Sequence, residues 1–291
     1  MQKVKKALLF FTIALLFAGT ILGGCSTPSE NTGKVEENSV EVEDIQKPEN
    51  DVESTGAKTV DAGEEELENP LTLIYFGHST FLIQYDDASV LVDPYQPDFG
   101  NYGKIDLQVD AVLISHEHTD HNYSPGGGPG ATVLRGLTAD GDWHQVNHCL
   151  AELQITSVAG TFHGRNLGKN GVFILTTPDL RLAYLGDIGH TLQEKEAAQI
   201  GKPDVLFLPV GGYYTIPPRE ALELIAQLSP GIVIPMHYKT ADNQDTPIGT
   251  LEEFLELEIP YPVKSQNSNL ELTSKTVPAP TEIWTMEYAL P

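Results

Sequence analysis

The 291-residue sequence contains only two cysteines, Cys25 and Cys149. They are too few for a disulfide framework or a cysteine-rich zinc site, so any metal must be held by histidine and carboxylate. Basic residues are also scarce, with 17 Lys and Arg against 41 Asp and Glu and a formal net charge of −24. A field of that sign repels polyanions and argues against a nucleic-acid partner. No Phe, Trp or Tyr occurs from Ser26 to Pro70, a stretch rich in Glu, Asp, Ser, Thr, Asn and Gly that cannot bury enough apolar surface to offset its ordering entropy. Internal repeats are absent. Gly126-Gly127-Gly128 lacks the lysine and following Ser or Thr of a phosphate-cradling loop. What remains is 40% hydrophobic, with 26 Gly and 20 Pro, which suits a sizeable core with many turns better than a long helical bundle.

Lys3, Lys5 and Lys6 precede an apolar run from Ala7 to Ile21, followed by Gly23, Gly24 and Cys25. These are the three regions of a secretory signal; the run is short for a spanning helix, and an uncleaved anchor is the alternative. Leu22-Gly23-Gly24-Cys25 resembles the lipobox of bacterial lipoproteins. The resemblance implies cleavage before Cys25, acylation of its thiol and new amino group, and a membrane partner on the extracytoplasmic face of a bacterial membrane. The expected organisation is a signal over 1–24, a lipidated Cys25 with a disordered acidic tether over 25–70, and a folded domain over 71–291. As a flexible coil the tether would span roughly 35–40 Å.

From Leu71 onward, short apolar runs bounded by Gly, Pro, Asp and Asn predict strands at 71–76, 80–85, 89–92, 111–114, 152–158, 172–176, 181–185, 205–209 and 232–235. Helices are predicted at 192–200, ending at Gly201, at 217–228, opening on two prolines, and at 250–257, opening on Thr and two Glu. Strands first and β-α alternation later predict an α/β fold with sheets in the centre and helices outside. The stretch 122–147 is either a lid or a long connection.

All nine histidines lie in the folded part. The densest group is Ser115-His116-Glu117-His118-Thr119-Asp120-His121, placed directly after the strand predicted at 111–114. Three imidazoles and a carboxylate so close together make a poor core and a good metal site. At a strand end His116 and His118 share one side, and the next turn can carry Asp120 and His121 to a neighbouring position. Asp187 and His237 each follow a predicted strand, where loops gather around an α/β site. Neutral imidazole with carboxylate suits zinc, and also manganese or iron.

The cluster resembles the H-x-H-x-D-H signature of the metallo-β-lactamase superfamily. Four further pieces match in order: Leu91-Val92-Asp93-Pro94, Thr161-Phe162-His163-Gly164, Leu185-Gly186-Asp187-Ile188-Gly189-His190, and Ile234-Pro235-Met236-His237-Tyr238-Lys239-Thr240. Leu208-Pro209-Val210-Gly211-Gly212 and the His237 segment look more narrowly like the ascorbate-phosphate lactonase-like branch. The resemblance implies an αββα four-layer sandwich and two divalent ions, zinc first. His116, His118 and His163 would hold one ion, Asp120, His121 and His237 the other, and Asp187 would bridge them. Asp93 would support the metal loop from behind; His78 and His190 would line the pocket, with an ordinary structural histidine as the equal alternative for each. Tyr213, Tyr214, Pro217 and Pro218 are candidates for the pocket mouth. His144 and His148 match nothing in the pattern and are read as structural.

The implied chemistry is hydrolysis of an ester, lactone or phosphodiester by a water or hydroxide held between the ions. Asp120 would orient the nucleophile as well as ligate, and His190 or Tyr238 would assist the leaving group. True β-lactamases lack the bridging acid that Asp187 provides, and the oxygen-reducing di-iron branch has Glu where this chain has His118. The substrate is expected to be a small molecule or lipid-derived. The competing class is a non-catalytic surface lipoprotein that binds metal or another ligand.

Overall fold

A computed structural model of the chain describes residues 69–291. The predicted signal, Cys25 and the tether as far as residue 68 lie outside the described residues. The first sheet takes β1 (Leu71–Tyr75), β2 (Phe81–Tyr85), β3 (Ala88–Val92), β4 (Ala111–Ile114) and β5 (Thr132–Arg135). The second takes β6 (Asn147–Leu150), β7 (Leu153–Val158), β8 (Val172–Thr176), β9 (Arg181–Tyr184), β10 (Val205–Pro209), β11 (Ile232–Met236) and β12 (Val263–Gln266). The chain then returns to the first sheet with β13 (Asn269–Leu272) and finishes in the second with β14 (Glu282–Met286). The orders are β13-β1-β2-β3-β4-β5 and β12-β14-β11-β10-β9-β8-β7-β6.

Period-2 alternation explains why β2, β3 and β4 of the first sheet read as nearly continuous apolar runs: both of their faces are largely buried. Phe81, Ile83, Val90, Val92, Ala111 and Leu113 point into the main core shared with the second sheet. Their neighbours Leu82, Leu91, Val112 and Ile114 point the other way, into a second core with Tyr95, Tyr102, Ile105 and Val109. Those last four come from the connection between β3 and β4, so the layer outside the first sheet is irregular chain.

Helices α1 (Glu194–Ile200), α2 (Pro218–Leu228) and α3 (Leu251–Leu255) all contribute to the main core. In α2 the residues Ala221, Leu224, Ile225 and Leu228 form one apolar stripe at helical spacing. Pro218 opens that helix, and Ser229 closes it in the left-handed conformation, its N–H bonded to the Ile225 carbonyl. A capping box between Gln193 and Glu196 starts α1, and one between Thr250 and Glu253 starts α3.

The nine predicted strands and three predicted helices are present, with ends shifted by no more than two residues. Five strands were not predicted, and four of them, β5, β6, β12 and β13, are the outer strands of the two sheets. The stretch 122–147 is a connection: it supplies β5 to the edge of one sheet, crosses by a bridge between Leu137 and Trp143, and enters β6 at the edge of the other.

Candidate metal centre

Parallel pairing sets the site. β3 and β4 run side by side, Val92 opposite Leu113, so Asp93 and the 115–121 segment leave the first sheet together. β9, β10 and β11 are parallel as well, and the chain leaving β9 and β11 carries Asp187 and His237. His163, on the loop from β7 to β8, is held opposite Ile188 by a β-bridge. His78, on the turn from β1 to β2, accepts a hydrogen bond on its carbonyl oxygen from the His237 N–H at 2.7 Å. His78, Asp93 and His237 have φ of +51°, +43° and +53°, a left-handed conformation that costs a non-glycine residue energy and is retained where the surroundings enforce it.

One oxygen, Asp187 Oδ2, lies at the centre. It is 3.0 Å from His163 Nε2, 3.1 Å from His237 Nε2, 3.3 Å from His121 Nε2 and 3.8 Å from His116 Nε2. His116 Nε2 and His118 Nδ1 are 3.0 Å apart. Two overlapping groups could therefore hold ions: His116, His118 and His163 on one side, and Asp120, His121 and His237 with His78 on the other.

Buried polar atoms test the fit. Nε2 of His121, His163 and His237 and Oδ1 of Asp187 are buried without a hydrogen-bond partner. Such atoms are costly unless something satisfies them, and converging lone pairs of imidazole and carboxylate are what a divalent cation satisfies. The opposite ring nitrogens are anchored: His116 Nδ1 lies 2.9 Å from Ser115 Oγ, His121 Nδ1 2.9 Å from Asp93 Oδ2, and His163 Nδ1 3.0 Å from the Gly164 carbonyl. In His121 and His163 the acceptor fixes the proton on Nδ1 and leaves Nε2 free to ligate.

The electrostatics agree. Burial alone would raise the Asp187 carboxyl, but the charges of His121 and His237 and the close approach of the imidazoles hold it well below the usual carboxylate range. Burial would lower His121, and Asp187 and Asp120 overcome this and raise it well above the ordinary histidine value. His116 goes the other way, lowered by burial and then by His121. Without an ion the cluster keeps its carboxylates ionised and shares protons unevenly among its imidazoles.

Asp93 stands behind this set. Fully buried, it accepts from the Ser115 N–H at 2.7 Å, from the Ser115 hydroxyl, from His121, and from the Tyr184 hydroxyl at 2.9 Å. Ser115, Tyr184 and Asn170 escaped the sequence reading. Asn170 Oδ1 accepts from the Asp187 N–H at 2.9 Å while its amide donates to the Leu185 carbonyl at 2.8 Å, pinning the turn that presents Asp187. Ser115 adjoins the histidine cluster and was within reach; nothing in the sequence marks Asn170 or Tyr184.

Three expectations are corrected by position. His190 lies outside the cluster with both nitrogens committed to the backbone: Nε2 accepts from the Phe162 N–H at 3.0 Å and Nδ1 donates to the Thr191 carbonyl at 2.8 Å. That leaves it no free nitrogen for a leaving group. Tyr238 is buried in the main core, where burial and then its hydrogen bond with Tyr75 set its behaviour, the net result being a pKa pushed up to about 12. His78 is fully buried, behind Asp120 and under Phe99, with ring centroids 4.6 Å apart, so it cannot line the pocket. His144 bonds the Arg135 carbonyl and His148 lies in β6, both away from the cluster.

A cleft of about 520 Å³ opens over Asp120, His118 and Asp187 between Phe99, Leu167, Tyr214 and Pro247. A second, of about 600 Å³, meets the cluster at His116 and His118 and extends past Arg135 and Lys169. These two cations are paired with Glu117 and Asp142. Tyr214 thus reaches the mouth, whereas Tyr213, Pro217 and Pro218 line a separate depression.

Residues 72–237 match the model of a beta-lactamase superfamily domain. A UPF0173 metal-dependent hydrolase from Caldivirga maquilingensis is 27% identical over 196 residues, covering 58% of this chain and 82% of its own length. A UPF0173 protein from Pyrococcus abyssi is 30% identical over 184 residues, covering 58% and 84%. A crystal structure from Thermotoga maritima, assigned as a Zn-dependent hydrolase of the metallo-beta-lactamase superfamily, superposes with a TM-score of 0.58 at 27% identity, over 75% of this chain and all of that one. The matched span contains every residue of the cluster from His78 to His237, and with two sheets meeting over those ligands the chain belongs to the beta-lactamase superfamily, as a metallo-hydrolase of that fold.

Proposed function

We propose that the protein is a binuclear hydrolase acting on an ester, lactone or phosphodiester of a small-molecule or lipid-derived substrate. The observation that carries this reading is the single Asp187 oxygen within 3.8 Å of four imidazoles drawn from both ligand groups, the placement a bridging carboxylate needs. Five nitrogen ligands with two carboxylates favour zinc over manganese or iron. Two such ions would supply Lewis acidity to the bond under attack and lower the pKa of a water from about 15.7 towards 7.

The protein's own residues divide the remaining work. Of the two cluster acids that line the cleft, Asp120 is the more open, its side chain 21% exposed against 1% for Asp187. It is the group placed to orient the attacking water and hold its proton. His118, half-buried and lining both clefts, lies where the two arms of a substrate would part. Phe99, Leu167, Tyr214 and Pro247 wall the reacting end against bulk water. As a lipoprotein anchored through Cys25 on the extracytoplasmic face, the enzyme would meet envelope or external substrates; mass spectrometry of the N-terminal peptide from membranes tests this part.

The central test is elemental analysis of the purified chain beside hydrolysis of a panel of lactones, phosphodiesters and phosphomonoesters, with and without chelator. Two metal equivalents and chelator-sensitive cleavage are expected. Bound metal without turnover of any panel member would shift the reading to a metal carrier, and no bound metal after reconstitution would defeat it.

A further inference from the structure

The metal-ligand pattern leaves His78 without a task, yet it is fully buried among the ligands of one side only. We infer that His78 is a positioning residue for the second ion, holding Asp120 with its ring and His237 with its backbone; this rests on the two-ion reading above.

Three observations converge. The His78 Nε2 is 3.1 Å from Asp120 Oδ2, a hydrogen bond in which the ring donates and the carboxylate accepts. The carbonyl oxygen of the same residue accepts from the His237 N–H at 2.7 Å and from the Tyr75 hydroxyl at 2.9 Å. Asp120 follows β4 of the first sheet and His237 follows β11 of the second, so one residue ties together two ligands delivered by different sheets. The ring packs against His237 with centroids 4.2 Å apart, which limits how far either can turn.

His78 sits within one ligand group, but its ring is turned to Asp120 rather than to Asp187. His116, His121, His163 and His237 all approach Asp187 Oδ2 within 3.8 Å, whereas the ring of His78 contacts Asp120. The His78 Nδ1 is buried without a hydrogen-bond partner, which fits a ring protonated on Nε2 and bare on Nδ1. The turn around it is rigid: Gly77, at φ +92°, packs under Tyr102 so closely that a Cβ would come within 2.5 Å of the ring, and the Ser79 carbonyl accepts from Tyr184. That rigidity keeps His78 at φ +51°.

The test is a stepwise zinc titration of the full chain after chelator stripping, with a chromophoric competitor that resolves two binding steps, for wild type, His78→Ala and His78→Gln. In His78→Ala one step, that of the ion on the Asp120, His121 and His237 side, should lose about 10- to 100-fold in affinity, the range for removing a group that orients a ligand, while the other step stays within about threefold by the same reasoning. His78→Gln, whose amide donates from nearly the same place as Nε2, should recover most of the loss. It also keeps the test valid if the alanine variant does not fold. Equal weakening of both steps, or of neither, would overturn the assignment, as would a glutamine variant no better than alanine, which would make the ring nitrogen a ligand. A wild type that takes up a single ion would remove the two-ion reading and this assignment together; two steps in wild type with His78→Ala unaffected would remove this assignment alone.

Discussion

The two sides of the cluster are supported in different ways. On the His116, His118 and His163 side the anchors are sequence neighbours: Ser115 beside His116, and the Gly164 carbonyl beside His163. On the Asp120, His121 and His237 side they are remote, Asp93 for His121 and His78 for both Asp120 and His237. A site braced locally depends on the conformation of one loop. One braced from a distance depends on how two sheets are seated against each other, so mutations far from the chemistry should reach the second side first.

The largest effect should erase the contrast. Asp187→Ala removes the acid common to both sides; both metal equivalents should fall away and turnover drop by roughly a thousandfold or more, with elemental analysis and steady-state rates as the check. Retention of either ion at full affinity would mean that the two sides are independent. Next comes Asp93→Ala, which leaves the Ser115 N–H and His121 Nδ1 without their buried acceptor and the Tyr184 hydroxyl with the Ser79 carbonyl alone. Unfolding in urea should show a loss of about 3–5 kcal/mol, the cost of stranding several buried donors. A loss under about 1 kcal/mol would show that water replaces the carboxylate.

The smallest effect sharpens the comparison through pH. Burial, and then the neighbouring His237, lower the His78 pKa from 6.5 to about 4, whereas the unfolded chain takes up that proton near the ordinary value. Below about pH 6.5 the unfolded state therefore binds a proton that the folded state refuses, so stability falls with pH and this contribution levels off once the pH passes the folded value. In metal-free protein this residue accounts for up to about 3 kcal/mol between pH 6.5 and 4. His78→Gln should flatten that part of the stability profile and leave the region above pH 7 as it was. An unchanged slope would place the titration on other groups.

The same division separates what the sequence made legible from what it hid. Ala111–Ile114 followed by His116, His118, Asp120 and His121 announces a metal loop because ligands and strand are contiguous. Inner strands such as Val172–Thr176 and Val205–Pro209 were readable because burial on both faces makes them continuous apolar runs. The outer strands were not: Val263–Gln266 reads Val-Lys-Ser-Gln and Asn147–Leu150 reads Asn-His-Cys-Leu, carrying the polar residues that blunt an exposed edge and erase the strand signature. β14 is interior, between β11 and β12, but its Glu-Ile-Trp-Thr-Met mixes polar and apolar residues and does not stand out from its surroundings. Asn170 and the second task of His78 depend on pairs that meet only after folding. His190 misled because it neighbours Asp187 in sequence while its nitrogens face the backbone.

The path of the chain after residue 237, where the family match ends, carries a consequence for synthesis and truncation. Those last residues are stitched into both sheets: β13 lies against β1, Leu71 opposite Leu272, and β14 lies against β11. The earliest strand thus waits for one of the latest, and the first sheet cannot close until nearly the whole polypeptide has emerged. A chain stopped just past His237 would carry every ligand and still leave the backbone of Leu71–Tyr75 as an unpaired, apolar edge open to other chains. Completion of the chain and completion of the two-sheet frame around the metal centre thus become a single event.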